Sequence, residues 1–201
     1  MRKCLFSPRV LLLGAVAAII GSAPARAAMG VRNTSECTQG EFSQPFLAYN
    51  DSNWYTLLAG QGTSGFNGAG WELSGGASIV TTTLPDGSTG TVLNLPSGSK
   101  AVAPRVCVTS EYPSARSFVR DVAGSEGVYF YVSYEGTPTW EKPKNTGQIH
   151  GSGSAWTAAA PVNLQPEKIA GWQPMRITLI PGGKTSAFEI YDLYLDPRLS
   201  H

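Results

Sequence analysis

From residue 44 onward the chain shows no sustained apolar period of 3.6, and no capping box opens a long apolar face. Short runs rich in Val, Ile, Thr, Tyr and Phe follow one another instead. Gly and Pro close them, as at Gly75-Gly76, Pro85-Asp86-Gly87, Pro96-Ser97-Gly98 and Pro181-Gly182-Gly183. β-Branched and aromatic side chains suit a pleated, half-buried surface, and the punctuating residues suit tight turns. Strands at this spacing, with no helix between them, predict one all-β domain over residues 44–198, a jelly-roll β-sandwich of about eight to ten strands.

The clearest strand is Val128-Tyr129-Phe130-Tyr131-Val132-Ser133-Tyr134. Alternate side chains of a strand face opposite sides of the sheet. Val128, Phe130 and Val132 are therefore expected inside, with Tyr129, Tyr131 and Ser133 outside. Residues 175–180 read the same way, with Met175, Ile177 and Leu179 inward and Arg176 and Thr178 outward. Further strands are expected at 71–74, 78–83, 91–95, 105–109, 117–122, 162–165 and 187–195. Residues 53–58 fit either a strand or a helical turn. In the last strand Phe188 and Ile190 share one face while Leu193 and Leu195 fall on the other. A β-bulge at Tyr191-Asp192 would return all four to one core. Residues 137–156, broken by Pro138, Pro143, Gly147, Gly151 and Gly153, read as a long loop.

The N-terminus carries an address. Arg2, Lys3 and Arg9 precede the apolar run from Val10 to Ile20, and the small-residue series Ala23-Pro24-Ala25-Arg26-Ala27 follows. Basic, apolar and small residues in that order predict a secretory signal over residues 1–27, removed after Ala27. The apolar run is too short to span a bilayer, which takes roughly 20 residues. The mature chain is thus expected outside the cell and free of the membrane, with residues 28–43 forming an irregular arm. Arg2, Lys3, Arg9 and Arg26 leave with the signal while all 14 acids stay, so the formal charge moves from +1 to −3. The remaining basic residues are scattered, which argues against nucleic acid as a partner, since phosphate binding needs clustered Lys and Arg.

Losing Cys4 leaves the even pair Cys37 and Cys107 in an oxidising compartment, and one structural disulfide is expected. Closing a loop of that length is worth about 4 kcal/mol in the chain-entropy picture.

Phe66-Asn67-Gly68-Ala69-Gly70-Trp71-Glu72-Leu73-Ser74-Gly75-Gly76-Ala77 resembles the opening of carbohydrate-binding-module-like jelly rolls of the galactose-binding type. Leu93–Ser99, Pro104–Val108 and Tyr191–Pro197 extend a similarity to small exported actinobacterial proteins. The resemblance implies a jelly roll with Trp71 in its core. It also implies a structural calcium ion between the positions of Asn67 and Asp192. This chain departs from that pattern: Asn67 is neutral where a carboxylate would sit, and Tyr191 replaces the first of two acids. Calcium takes six to eight oxygens, commonly including carboxylates.

Sugar sites set aromatic faces against apolar sugar faces, with polar groups fixing orientation. Tyr129 and Tyr131, with Trp140 and Trp156 on the adjoining loop and Arg176 as donor, form the candidate ligand-binding set. A non-catalytic module for an extracellular glycan or cell-envelope polysaccharide is the leading reading. A structural or adhesive envelope protein would bury the same aromatics. A glycosidase comes third: Glu189, Asp192 and Asp196 invite the comparison, but the Glu-x-Asp-x-x-Glu spacing is absent. The chain lacks a Gly-x-Ser-x-Gly elbow to partner His150, and no catalytic constellation is expected.

Overall fold

The computed structural model describes residues 34, 35, 37, 40–109, 113–164 and 171–197. The expected signal segment lies outside the described residues. Along the chain run β1 (Phe42–Ser43), β2 (Tyr55–Leu57), β3 (Gln61–Gly62), β4 (Gly65–Phe66), β5 (Glu72–Ser74), β6 (Ser78–Thr83), β7 (Thr89–Pro96) and β8 (Lys100–Val102). Then come β9 (Val106–Val108), β10 (Ser114–Ala123), β11 (Val128–Tyr134), β12 (Lys144–Ile149), β13 (Thr157–Ala158), β14 (Val162–Asn163), β15 (Gln173–Pro181) and β16 (Ala187–Asp196). Among the described residues the helical elements are two short 3-10 turns, Leu47–Tyr49 and Pro138–Trp140. The expected strand count was lower because several of these segments are two or three residues long, too short to show a period.

The strands form two sheets. Sheet A gathers β1, β2, β3, β4, β6, β7, β10, β13, β14 and β16, and sheet B gathers β5, β8, β9, β11, β12 and β15. Val128, Phe130 and Val132 from sheet B meet Phe188, Ile190, Leu193 and Leu195 from sheet A in one core, together with Met175, Ile177 and Leu179. Trp71 joins that core. Its indole N–H donates to the Ala59 carbonyl at 2.9 Å, and its ring meets Phe66 edge-on at 5.2 Å. Trp71 is core, as the resemblance implied.

β16 organises sheet A. β10 runs antiparallel along one of its edges; β7 takes the other edge from Ala187 to Ile190, and β2 takes it at Tyr194 and Leu195. The change of neighbour occurs at the expected bulge. Arg116 pairs with Tyr194 and Phe118 with Tyr191, so two residues of β16 face one of β10, and Asp192 adopts a left-handed φ of 51°. Gln61 fills the wedge that opens there: its side chain accepts from the Leu193 amide at 2.9 Å and donates to the Leu193 carbonyl at 3.0 Å.

Residues 53–58 resolve as a strand, β2. Phe42 and Ser43 pair with it, so the end of the arm belongs to sheet A rather than being irregular. Residues 137–156 are not one long loop, because β12 pairs along β11 as an edge strand. Its alternation is obscured by Gly147, which sits at a register shift with positive φ, where a Cβ would come within 3.2 Å of Val162. Cys37 and Cys107 are bridged, with Cα atoms 5.4 Å apart. Cys107 lies in sheet B and the arm continues into sheet A, so the disulfide ties the two layers together along one side.

Candidate functional site

The outer face of sheet B is built by alternation. Val128, Phe130 and Val132 point into the core, so Tyr129, Tyr131 and Ser133 point away from it, with both tyrosines half-exposed. On the neighbouring strand Ile180, Thr178 and Arg176 stand opposite these three. Two residues of strand separate the tyrosine Cα atoms by about 7 Å. The chain leaves β11 through a turn fixed by Thr137, whose hydroxyl accepts from the Thr139 amide at 3.2 Å. That turn brings the exposed Trp140 back over the face. The Arg176 guanidinium lies 5.5 Å from the Trp140 ring centre and donates to Glu72 of β5 at 3.1 Å. An arginine held between a carboxylate and an aromatic face is fixed in direction, and it keeps spare N–H donors.

Four of the five expected ligand-binding residues thus lie on one face: Tyr129, Tyr131, Trp140 and Arg176, with Ser133 and Thr178 between them buried. Trp156 does not join them. It immediately precedes β13, which pairs with β10, and this places it on sheet A, where its indole N–H donates to the Thr83 carbonyl at 2.9 Å. There the Arg120 guanidinium lies 4.8 Å from its ring centre, and Tyr191 meets it edge-on at 6.2 Å. A tryptophan's sheet is decided by the pairing of the strand beside it, which its own neighbours in sequence do not reveal. Sequence reasoning also missed Glu72, Phe118 and Arg120. The signal for the last two was present, because Ala115 and Val119 point inward and leave Arg116, Phe118 and Arg120 outward.

Of the two residues implied for calcium, one is exposed and the other is buried. Asn67 is exposed and its Oδ1 accepts from the Ala69 amide at 2.9 Å, so it closes its own turn. Asp192 is buried at the bulge, where the Tyr194 hydroxyl donates to Oδ2 at 3.3 Å. Burial pushes its carboxyl up to about 6, against which the hydrogen bonds from Tyr191 and Tyr194 act only partly. The same burial, reinforced by the neighbouring Asp192 charge, pushes the Tyr191 phenol up to about 12. Among the described residues no group of three or more His, Cys, Asp or Glu side chains converges on a metal position.

Glu189 accepts from the Arg120 Nε at 2.7 Å, and Asp196 is buried. His150 is exposed at the end of β12. A cavity of about 240 Å³ opens beside the disulfide, walled by Phe42, Leu57, Leu58, Arg105, Cys107 and Trp172 among others. Arg105 is engaged with Glu135 at 2.6 Å.

The two-layer architecture is that of a jelly-roll β-sandwich, and comparison with solved structures agrees. An exo-β-agarase matches over 73% of this chain and 25% of its own, with a TM-score of 0.51 and 10% identity. The CBM22-1 xylan-binding domain of Paenibacillus barcinonensis Xyn10C matches over 72% of this chain and 94% of its own, with a TM-score of 0.46 and 11% identity. A family 6 carbohydrate-binding module from Clostridium cellulolyticum, solved with xylose, matches over 72% and 95%, with a TM-score of 0.42 and 13% identity. At 10% identity the agarase match is a likeness of fold alone. No protein-family model matches the sequence, and no curated protein matches it.

Proposed function

We propose that the protein is an exported, non-catalytic glycan-binding module that holds a polysaccharide against the outer face of sheet B. The observation that supports this is the shared face itself. Tyr129, Tyr131 and Trp140 stand outside the core on one side of the domain, with Arg176 fixed among them. Aromatic rings cover the apolar faces of sugars, and the guanidinium and phenol groups set orientation through hydroxyl contacts. An envelope protein using its aromatics only for packing would bury these three, and they are not buried. Export follows from the N-terminal signal pattern. Among the described residues no helix is long and apolar enough to cross a membrane.

The test is affinity electrophoresis of residues 28–201 through gels carrying xylan, β-1,4-galactan or cell-wall polysaccharide. Retardation by one polymer that is weakened in Tyr131→Ala and Trp140→Ala, with melting unchanged, supports the reading. Migration unaffected by every polymer sinks it.

A further inference from the structure

The outer face of sheet A is curled into a groove, and one contact demonstrates it. Arg120 belongs to β10 and Thr82 to β6, with β16 and β7 between them. Three ladder spacings would hold those strands about 14 Å apart in a flat sheet. Yet the Arg120 Nη2 donates to the Thr82 hydroxyl at 2.6 Å. Trp156 reaches across the same gap to Thr83 from beside β10. The sheet must therefore bend towards this face, drawing the outward side chains of four strands together.

A row of rings crosses that face. Trp156 meets Tyr191 at 6.2 Å, Tyr191 meets Phe118 at 6.2 Å, and Phe118 meets Tyr49 at 5.8 Å. Tyr49 is 49% exposed, and the other three are half-exposed. The row is continuous. The cations beside it are matched inside the protein: Arg120 with Glu189 at 2.6 Å, and Arg116 with Asp51 at 2.6 Å. Asp192, enclosed by Tyr191 and Tyr194, adds hydrogen-bonding capacity next to the row.

We infer that this groove is a second glycan-binding platform, taking an extended chain of neutral sugars along Trp156, Tyr191, Phe118 and Tyr49. A polyanion would find no unmatched cation here, whereas stacked rings flanked by hydroxyls suit uncharged pyranose faces. An acidic protein surface is disfavoured by the same pairing. The inference rests on the reading of the domain as a glycan binder. It adds that the two platforms lie on opposite outer faces of the sandwich, so one domain can hold two chains at once.

The experiment is bridging. Xylan or β-1,4-galactan is immobilised, the domain is added, and capture of the same polymer in fluorescent, soluble form is measured. Affinity electrophoresis is run in parallel. Tyr49→Ala and Trp156→Ala are compared with Tyr131→Ala and Trp140→Ala. Tyr49 lies on the surface, so its variant keeps the test valid if Trp156→Ala fails to fold. The expected result is bridging by the wild type that falls at least tenfold with either pair of variants, while each pair alone still retards the protein. If Tyr131→Ala and Trp140→Ala abolish all retardation and Tyr49→Ala changes nothing, the groove does not bind and the sheet B reading stands alone. If only the sheet A variants weaken retardation, the groove binds, and it is the sheet B reading that fails. Dimerisation lost in Tyr49→Ala, with no polymer retained, would give this face to a second copy of the chain and overturn the inference.

Discussion

Arg176 is held from two sides: by the Trp140 ring at 5.5 Å and by the Glu72 carboxylate at 3.1 Å. These partners come from opposite ends of sheet B, so one side chain from its middle links the turn after β11 to the strand at the far edge. Removing it frees the tryptophan as well as deleting a charge. Arg176→Lys should weaken polysaccharide retardation about tenfold, because an ammonium ion offers neither the planar stack nor the fork of donors. Trp140→Ala should do the same with the melting temperature within about 2 °C of wild type. Calorimetry and affinity electrophoresis on the same samples check both expectations.

Asp51 and Arg116 form the most enclosed ion pair described, with side chains 10% and 8% exposed. Burial pushes the Asp51 carboxyl up, but the Tyr55 hydroxyl, the Asn53 amide and Arg116 together outweigh it and hold the group below its ordinary value of 3.8. A depressed carboxylate contributes stability above its unfolded pKa and loses that contribution as the pH falls through the folded value. Arg116→Met should cost about 3 kcal/mol at pH 7, because it leaves a buried charge without its partner. The penalty should shrink as the pH falls below the ordinary carboxylate range and through the depressed folded value, where the carboxylate takes up its proton. Urea melts at pH 7 and pH 3 measure the difference.

Asp192 has the opposite sign. Its folded pKa stands at about 6, above the ordinary 3.8. The unfolded chain therefore releases this proton first as pH rises, and stability falls between those two values and stays lowered above them. Asp192→Asn removes the charge and keeps a residue that tolerates the left-handed φ of 51°. The variant should melt several degrees higher than wild type at pH 7.5 and no higher at pH 4. A calcium ion on Asp192 would reverse the outcome at neutral pH, and wild-type melting would then fall on adding a chelator. We expect melting to be indifferent to the chelator.

The Cys37–Cys107 bridge spans a sequence separation of 70 residues. Replacing both cysteines with serine should lower stability by roughly 2–5 kcal/mol, as for native bridges in small exported domains. Mass spectrometry of the exported protein should find the pair two hydrogens lighter than the dithiol. Two free thiols in that material would remove the tie between the arm and β9.

Much of this architecture could be read from side-chain periods. The alternation in β11 fixed which tyrosines face outward, and the mismatch between Phe188, Ile190 and Leu193, Leu195 located the bulge. Both are local patterns that only one backbone geometry can satisfy. The sheet over which Trp156 lies was not legible, because it depends on Thr157 pairing with Val119, a contact between distant parts of the chain. β12 was hidden for another reason: Gly147 carries no side chain to mark a face, and its register shift breaks the alternation. Phe118 and Tyr191 were readable as outward residues, but their pairing was not.

The change of neighbour along β16 also ranks the parts of the domain by how readily they open. β16 is bonded along one edge by β10 and along the other by two strands that do not meet it at the same place. The short pieces β1 and β2 can fray from its C-terminal half without disturbing β7, and β6 can peel from β7 without disturbing β2. Amide protons of β10 and β16 should consequently exchange with solvent only on global unfolding, while those of β1, β3 and β13 exchange through small local openings.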